Sequence, residues 1–156
     1  MKKLLVYAAM GLGVVGYGVM TKADRDGSGA IIDGGSVDAF QVRAGDCFDD
    51  SGSLDEQITS LPGVPCAEPH DNEAYAIVSL SLPEYPDEEV MSSLAFDECM
   101  ARFEPFVGRD YESSALDIFS MYPTVESWAA DDREVVCAVY DMEGQKLEGS
   151  VKNLGM

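Results

Sequence analysis

Four cysteines constrain what this chain can fold into more than any other feature of it. Cys47, Cys66, Cys99 and Cys137 are even in number and widely spaced, and no two stand at the two-residue gap of a zinc knuckle or a thiol redox site. The pattern predicts two disulfides, with three connectivities open. Local periodicity favours one of them. In "REVVCAVYD", strand alternation places Val135, Cys137 and Val139 on one face. In "EEVMSSLAFDECMARFEPF", helical spacing places Met91, Ala95, Cys99, Phe103 and Phe106 on one stripe. Both cysteines therefore point inward, which predicts a helix-to-strand bridge Cys99–Cys137 and leaves Cys47 to pair with Cys66. Each bridge contributes on the order of 3–4 kcal/mol. The rival is a metal site of Cys66 and His70 with Cys47. It needs free thiolates, so no metal is expected where disulfides form.

The start of the chain bears on the compartment. "MKKLLVYAAMGLGVVGYGVMTKA" has Lys2 and Lys3, then seventeen uncharged residues from Leu4 to Met20, then Lys22. As a helix that run rises about 25 Å against a hydrocarbon core of about 30 Å, a gap that thinning or a reaching Lys22 closes. A secretory signal is the alternative, but its apolar region is usually about 7–15 residues, and Thr21-Lys22-Ala23 is a poor small-x-small cleavage site. Residues 1–23 are read as a membrane anchor, spanning at 4–20. Residues 24–35 are read as a juxtamembrane tether and 36–156 as a domain outside the cytoplasm, where disulfides persist.

The chain's 156 residues suit one ordinary domain plus an appendage, and 46% hydrophobic content is enough for a core. Its charge is unbalanced: 29 acids face 10 bases, for a net charge of −19, and every acid lies at or after Asp24. Such a surface repels phosphate backbones, so nucleic acid is not an expected partner, while cations and basic partners are welcome. The stretch "DRDGSGAIID" imitates a calcium loop at Asp24, Asp26, Ser28, Gly29 and Ile31, but Gly35 stands where a bidentate acid is required. We read it as the glycine and aspartate of turns.

Further along, "IIDGGSVDAF" reads as a hairpin around Asp33-Gly34-Gly35, and "EAYAIVSLSL" as a strand with one face well buried. Pro86, with Asp87, Glu88 and Glu89 behind it, opens a long helix that runs to about Glu104, with Gly108 beyond. "ALDIFSMY" is a strand, Thr124 caps a short helix "VESWAAD", and "REVVCAVYD" and "KLEGSV" are extended. Strands outnumber helices without a βαβ rhythm. The fold class is α+β, a small antiparallel sheet with one long helix packed on it and a short second helix.

No catalytic motif is present: there is no nucleophile elbow, Walker loop, dinucleotide fingerprint or zinc-protease helix, and no cofactor is expected. The candidate binding residues are Glu68, His70, Asp71 and Glu73, clustered in "CAEPHDNEAY" around the only histidine, and Trp128, the only tryptophan. For His70 the plainer role is a structural side chain near the Cys66 bridge; for Trp128 it is core.

The segments "VRAGDCF", "VPCAEPHDNEAYA", "YPDEEV", "CMARFEPFVGRDY" and "YPTVESWAADDREVVCAVYD" occur in that order across Val42–Asp141. Together they resemble the septum formation-related family of actinobacterial membrane proteins. The resemblance implies an extracytoplasmic domain, often behind a membrane span, and a link to septum or envelope biology. It implies no catalytic residues. Some relatives carry a long proline-rich cytoplasmic region, and an interaction made through such a region is not expected of these residues. The expected function is a membrane-tethered, non-enzymatic domain at the cell membrane that binds an envelope or division protein. An envelope enzyme or a cation or small-ligand binder using Glu68, His70 and Asp71 is the alternative.

Overall fold

Strand β8 (Glu134–Asp141) organises the molecule, because its residues from Val135 to Val139 are all buried. A strand buried on both faces needs a cover on each side. The computed structural model describes residues 21–50 and 58–156. In it β8 lies in a six-stranded antiparallel sheet of order β3–β5–β4–β6–β8–β7. The other strands are β3 (Gly35–Asp38), β4 (Cys47–Phe48), β5 (Ser60–Val64), β6 (Asn72–Ser79) and β7 (Leu116–Met121). A separate ribbon pairs β1 (Asp24–Arg25) with β2 (Ile31–Asp33).

One face of the sheet carries the long helix α1 (Glu88–Val107). Asp87 caps it by accepting the Val90 N–H at 2.9 Å, and Glu88 and Glu89 sit at the positive end of its dipole. Its buried stripe is Met91, Ala95, Cys99, Phe103 and Val107, a strict four-residue repeat. Val107 takes the place expected of Phe106, which instead stacks half-buried on Tyr75 at 5.3 Å. The helix also runs one turn past Glu104, through Pro105, before Gly108 stops it in a left-handed conformation at φ 84°. The disulfide Cys99–Cys137 pins this helix to β8, the bridge expected from the two periodicities.

The alternation expected in β6 breaks once. Ala74 pairs with Ala138 and Ala76 with Cys137, so Tyr75 is an inserted residue, a β-bulge. The bulge turns Tyr75 toward the helix, where its hydroxyl donates to the Cys99 carbonyl at 2.8 Å.

The opposite face is covered by the N-terminal ribbon and a 3-10 turn at Ala39–Gln41, which bring Ala23, Ile31, Val37 and Val42 against Phe48, Leu61, Ala74, Val136 and Ala138. Residues 24–35, read from sequence as a tether, thus supply β1, β2 and the start of β3. The hairpin turn lies at Asp26–Gly29, where Asp26 accepts the N–H groups of Ser28 and Ala30. Asp33–Gly35 is a crossover between the two sheets. A side chain at Gly35 would collide with the backbone of Thr21 and Ala23. The calcium-like stretch is the turn of this ribbon.

Short helix α2 (Val125–Ala129) is capped by Thr124 as expected, and the Ser127 hydroxyl accepts the Thr124 N–H in return. The last ten residues form an irregular strap. Leu147 pairs with His70, the Asn153 and Gly155 N–H groups satisfy the last carbonyls of α1, Phe106 and Val107, and the Met156 carbonyl accepts from Ser114. Among the described residues, no helix is long and apolar enough to cross a membrane; the expected span at 4–20 lies outside them.

Candidate functional site

Strands β4 and β6 build the corner that the sequence singled out. Cys47 stands opposite Glu73 in their antiparallel register, so the two side chains share a face. Cys66, just past β5, closes the second disulfide onto Cys47, and a turn over Pro65–Glu68, closed by the Glu68 N–H on the Pro65 carbonyl, delivers His70. None of the four cysteines is free.

His70 is fully buried. Its Nδ1 lies 2.7 Å from the Glu68 carbonyl oxygen, which can only accept, so Nδ1 carries a proton. Its Nε2 is buried and has no hydrogen-bond partner, a cost of about 1–3 kcal/mol for a group of this kind. Glu73, 2% exposed, accepts from the Ser150 hydroxyl at 2.6 Å and from the Val151 N–H at 2.8 Å. One ligand atom each of Cys47, His70 and Glu73 can be chosen so that all lie within 4.8 Å of one another.

Asp71 faces outward. Lys146 bridges it and Asp49, at 2.8 Å to each. Burial pushes the Asp71 carboxyl up, but the Lys146 ammonium and the Asp50 N–H outweigh it and hold the carboxyl below its ordinary range. Glu68 is exposed and lends only its backbone. The structure therefore brings Glu68, His70, Asp71 and Glu73 together, but as a clasp for the C-terminal strap, closed to solvent at His70 and Glu73. Sequence reasoning missed Lys146, Ser150 and Val151, because no local pattern links them to residues more than seventy positions earlier.

Trp128 is placed away from this corner. It is 8% exposed, edge-on to Tyr85 at 5.8 Å, with the Arg133 guanidinium 3.7 Å above its ring. It belongs to the core under α1.

Beside α2 the outer sheet face opens into a groove of about 460 Å³. Phe119 and Met121 of β7 and Val136 of β8 make an apolar floor, Phe40 forms one wall, and Glu88, Asp132 and Glu134 supply the charge. No Lys, Arg or His is among the described residues lining it. Phe40 is 58% exposed. One signal for this groove was in the sequence: "ALDIFSMY" is apolar on both faces of its strand, so Phe119 and Met121 need a cover of their own.

A family model described as "Septum formation" matches residues 22–146. No curated protein and no solved structure matches the chain.

Proposed function

Because the chain belongs to the septum formation family, which carries a cell-division or envelope-related role, we propose that it is a membrane-tethered, non-enzymatic domain that binds a basic, amphipathic segment of an envelope or division protein. The observation that carries this reading is the groove over β7 and β8. An apolar floor rimmed by Glu88, Asp132 and Glu134, on a chain of net charge −19, complements a partner that offers apolar side chains flanked by Lys or Arg. Catalysis at the His70 corner has less support, since a fully buried imidazole beside a bonded carboxylate offers a substrate no approach. Both disulfides favour an address outside the cytoplasm, with residues 4–20 as the anchor.

The test places a photo-crosslinking side chain at Phe119, in the groove, or at Met142, 61% exposed and outside its lining, in the full chain in cells. The expected result is an adduct from Phe119 alone, mapping to a basic segment of the captured protein. Asp132→Lys with Glu134→Lys should reduce it roughly tenfold. Equal capture from both positions, or capture indifferent to the charge reversal, would overturn the groove as the binding face. A tail-fused alkaline phosphatase active only when exported tests the address separately.

A further inference from the structure

The corner formed by Cys47, His70 and Glu73 has the donor set of a divalent-metal site, held shut by a disulfide. We infer that opening Cys47–Cys66 converts this corner into a zinc site, with Cys47 Sγ, His70 Nε2 and a Glu73 carboxylate oxygen as protein ligands and the Cys66 thiolate as the fourth.

Three observations carry it. First, the Nδ1–H of His70 is directed to the Glu68 carbonyl, the arrangement that leaves Nε2 with an outward lone pair and that accompanies most metal-bound imidazoles. Second, that Nε2 is fully buried and unpartnered. Third, the ligand atoms of Cys47, His70 and Glu73 already lie within 4.8 Å of one another, and tetrahedral zinc with bonds of about 2.0–2.3 Å needs them about 3.3–3.8 Å apart. The remaining contraction is small, and freeing Cys47 Sγ from its covalent partner permits it. Glu73 keeps its bonds to Ser150 and Val151, because a carboxylate has lone pairs to spare.

The exchange balances with a dithiol as reductant. One of its thiolates attacks Cys66 Sγ, the accessible side of the bridge, since Cys66 is half-buried and Cys47 is 0% exposed. Cys47 leaves as a thiolate. The second thiol of the reductant displaces Cys66 and closes the reductant's own disulfide, so two electrons pass to the two cysteines. Zinc then takes both sulfurs as thiolates and releases their protons to solvent. Cys99–Cys137, with both residues at 0% exposure, lies out of a reductant's reach. In either state a crosslink holds the corner on which the C-terminal strap is anchored, covalent in one and coordinate in the other.

The full chain in detergent, metal-free, is titrated with Zn²⁺ and with Co²⁺ before and after mild treatment with a dithiol, alkylation and mass measurement confirming that only Cys47–Cys66 opens. The expected result is one metal per reduced chain and none per oxidised chain, with thiolate-to-cobalt charge-transfer absorption. Because His70 is the only histidine, its imidazole ¹⁵N signal reports ligation without assignment, and Nε2 should shift on adding Zn²⁺. Cys66→Ser supplies a Cys47 thiol without any reductant and should bind Zn²⁺ through Cys47, His70 and Glu73. His70→Gln removes a direct ligand and should weaken binding by more than the roughly 10- to 100-fold that loss of an outer-shell partner costs. Equal zinc uptake by oxidised and reduced chains, or uptake with the His70 signal unmoved, overturns the inference. So does a Cys66→Ser chain that unfolds and is not refolded by Zn²⁺.

Discussion

Cys99–Cys137 and Cys47–Cys66 are the same bond in two environments. The first lies under α1, in the cluster of Met91, Phe103, Val135 and Val139, with both cysteines at 0% exposure and the Tyr75 hydroxyl bonded to the Cys99 carbonyl. The second lies at a corner with a buried imidazole, a buried carboxylate and a strap held by hydrogen bonds, and one of its cysteines is half-exposed. The sealed bridge adds to a core that dispersion and burial already hold together. The open bridge stands where apolar packing is thin and polar contacts from distant parts of the chain must be kept in register. A small domain can therefore use one crosslink to reinforce its core and another to substitute for core.

Removing the bridges tests this contrast most strongly. Replacing Cys99 and Cys137 together by Ala should destabilise the chain by about 4 kcal/mol, given the 38-residue separation they close. Replacing Cys47 and Cys66 should remove about 3 kcal/mol, for a separation of 19. Urea unfolding followed by tryptophan fluorescence measures both. Beyond the totals, the first pair should lower the stability of the whole domain, whereas the second should release the strap before the core melts. Hydrogen exchange at Leu147 and Val151 distinguishes the two, and equal protection of these amides in both variants would erase the comparison.

A smaller effect is expected at the clasp itself. Glu73→Ala leaves the buried Val151 N–H without its acceptor and should reduce stability by about 2 kcal/mol, with the loss confined to the strap. A thermal melt of the purified variant checks the magnitude, and limited proteolysis near Gly149 checks the place.

The smallest effect concerns the helix side. Tyr111 and Tyr140 both donate to Asp117, and Tyr111 packs edge-on against Phe103 at 5.3 Å. The bond to Asp117, then burial, pushes the Tyr111 phenol up from 10.0 to about 12. A raised folded-state value means that this stabilisation is fully present below pH about 10 and is lost as pH rises toward about 12. Tyr111→Phe should therefore cost about 1 kcal/mol at neutral pH, and the difference from the unaltered chain should vanish over that alkaline window. Stability curves of the two proteins that stay parallel through the window would remove Asp117 as the cause.

Much of the helix side was legible in advance. The pairing of Cys99 with Cys137 follows from two short-range periods, 3.6 in the helix and 2 in the strand, each marking its own inward stripe. The cap at Thr124 is equally local, because it bonds the residue three positions on, whereas Asp87, expected inside the first turn, is itself the cap of α1. Tyr75 was less legible: the bulge that turns it inward depends on how β6 meets β8. At the other corner the cluster Glu68, His70, Asp71 and Glu73 was visible as composition, but its burial was not.

What the amino-acid sequence determined by itself is the set of features whose causes lie within a few residues: the caps, the stripes, the strand alternation of β8, the sign of the surface charge and the family. Tertiary structure alone decided that residues 24–33 cover the sheet, that the last ten residues strap the His70 corner shut, and that Phe40, Phe119 and Glu134 share one groove. The physical reason is distance along the chain. A contact between Glu73 and Val151 is 78 residues long, its free energy depends on everything that folds between, and no periodicity in either segment records it.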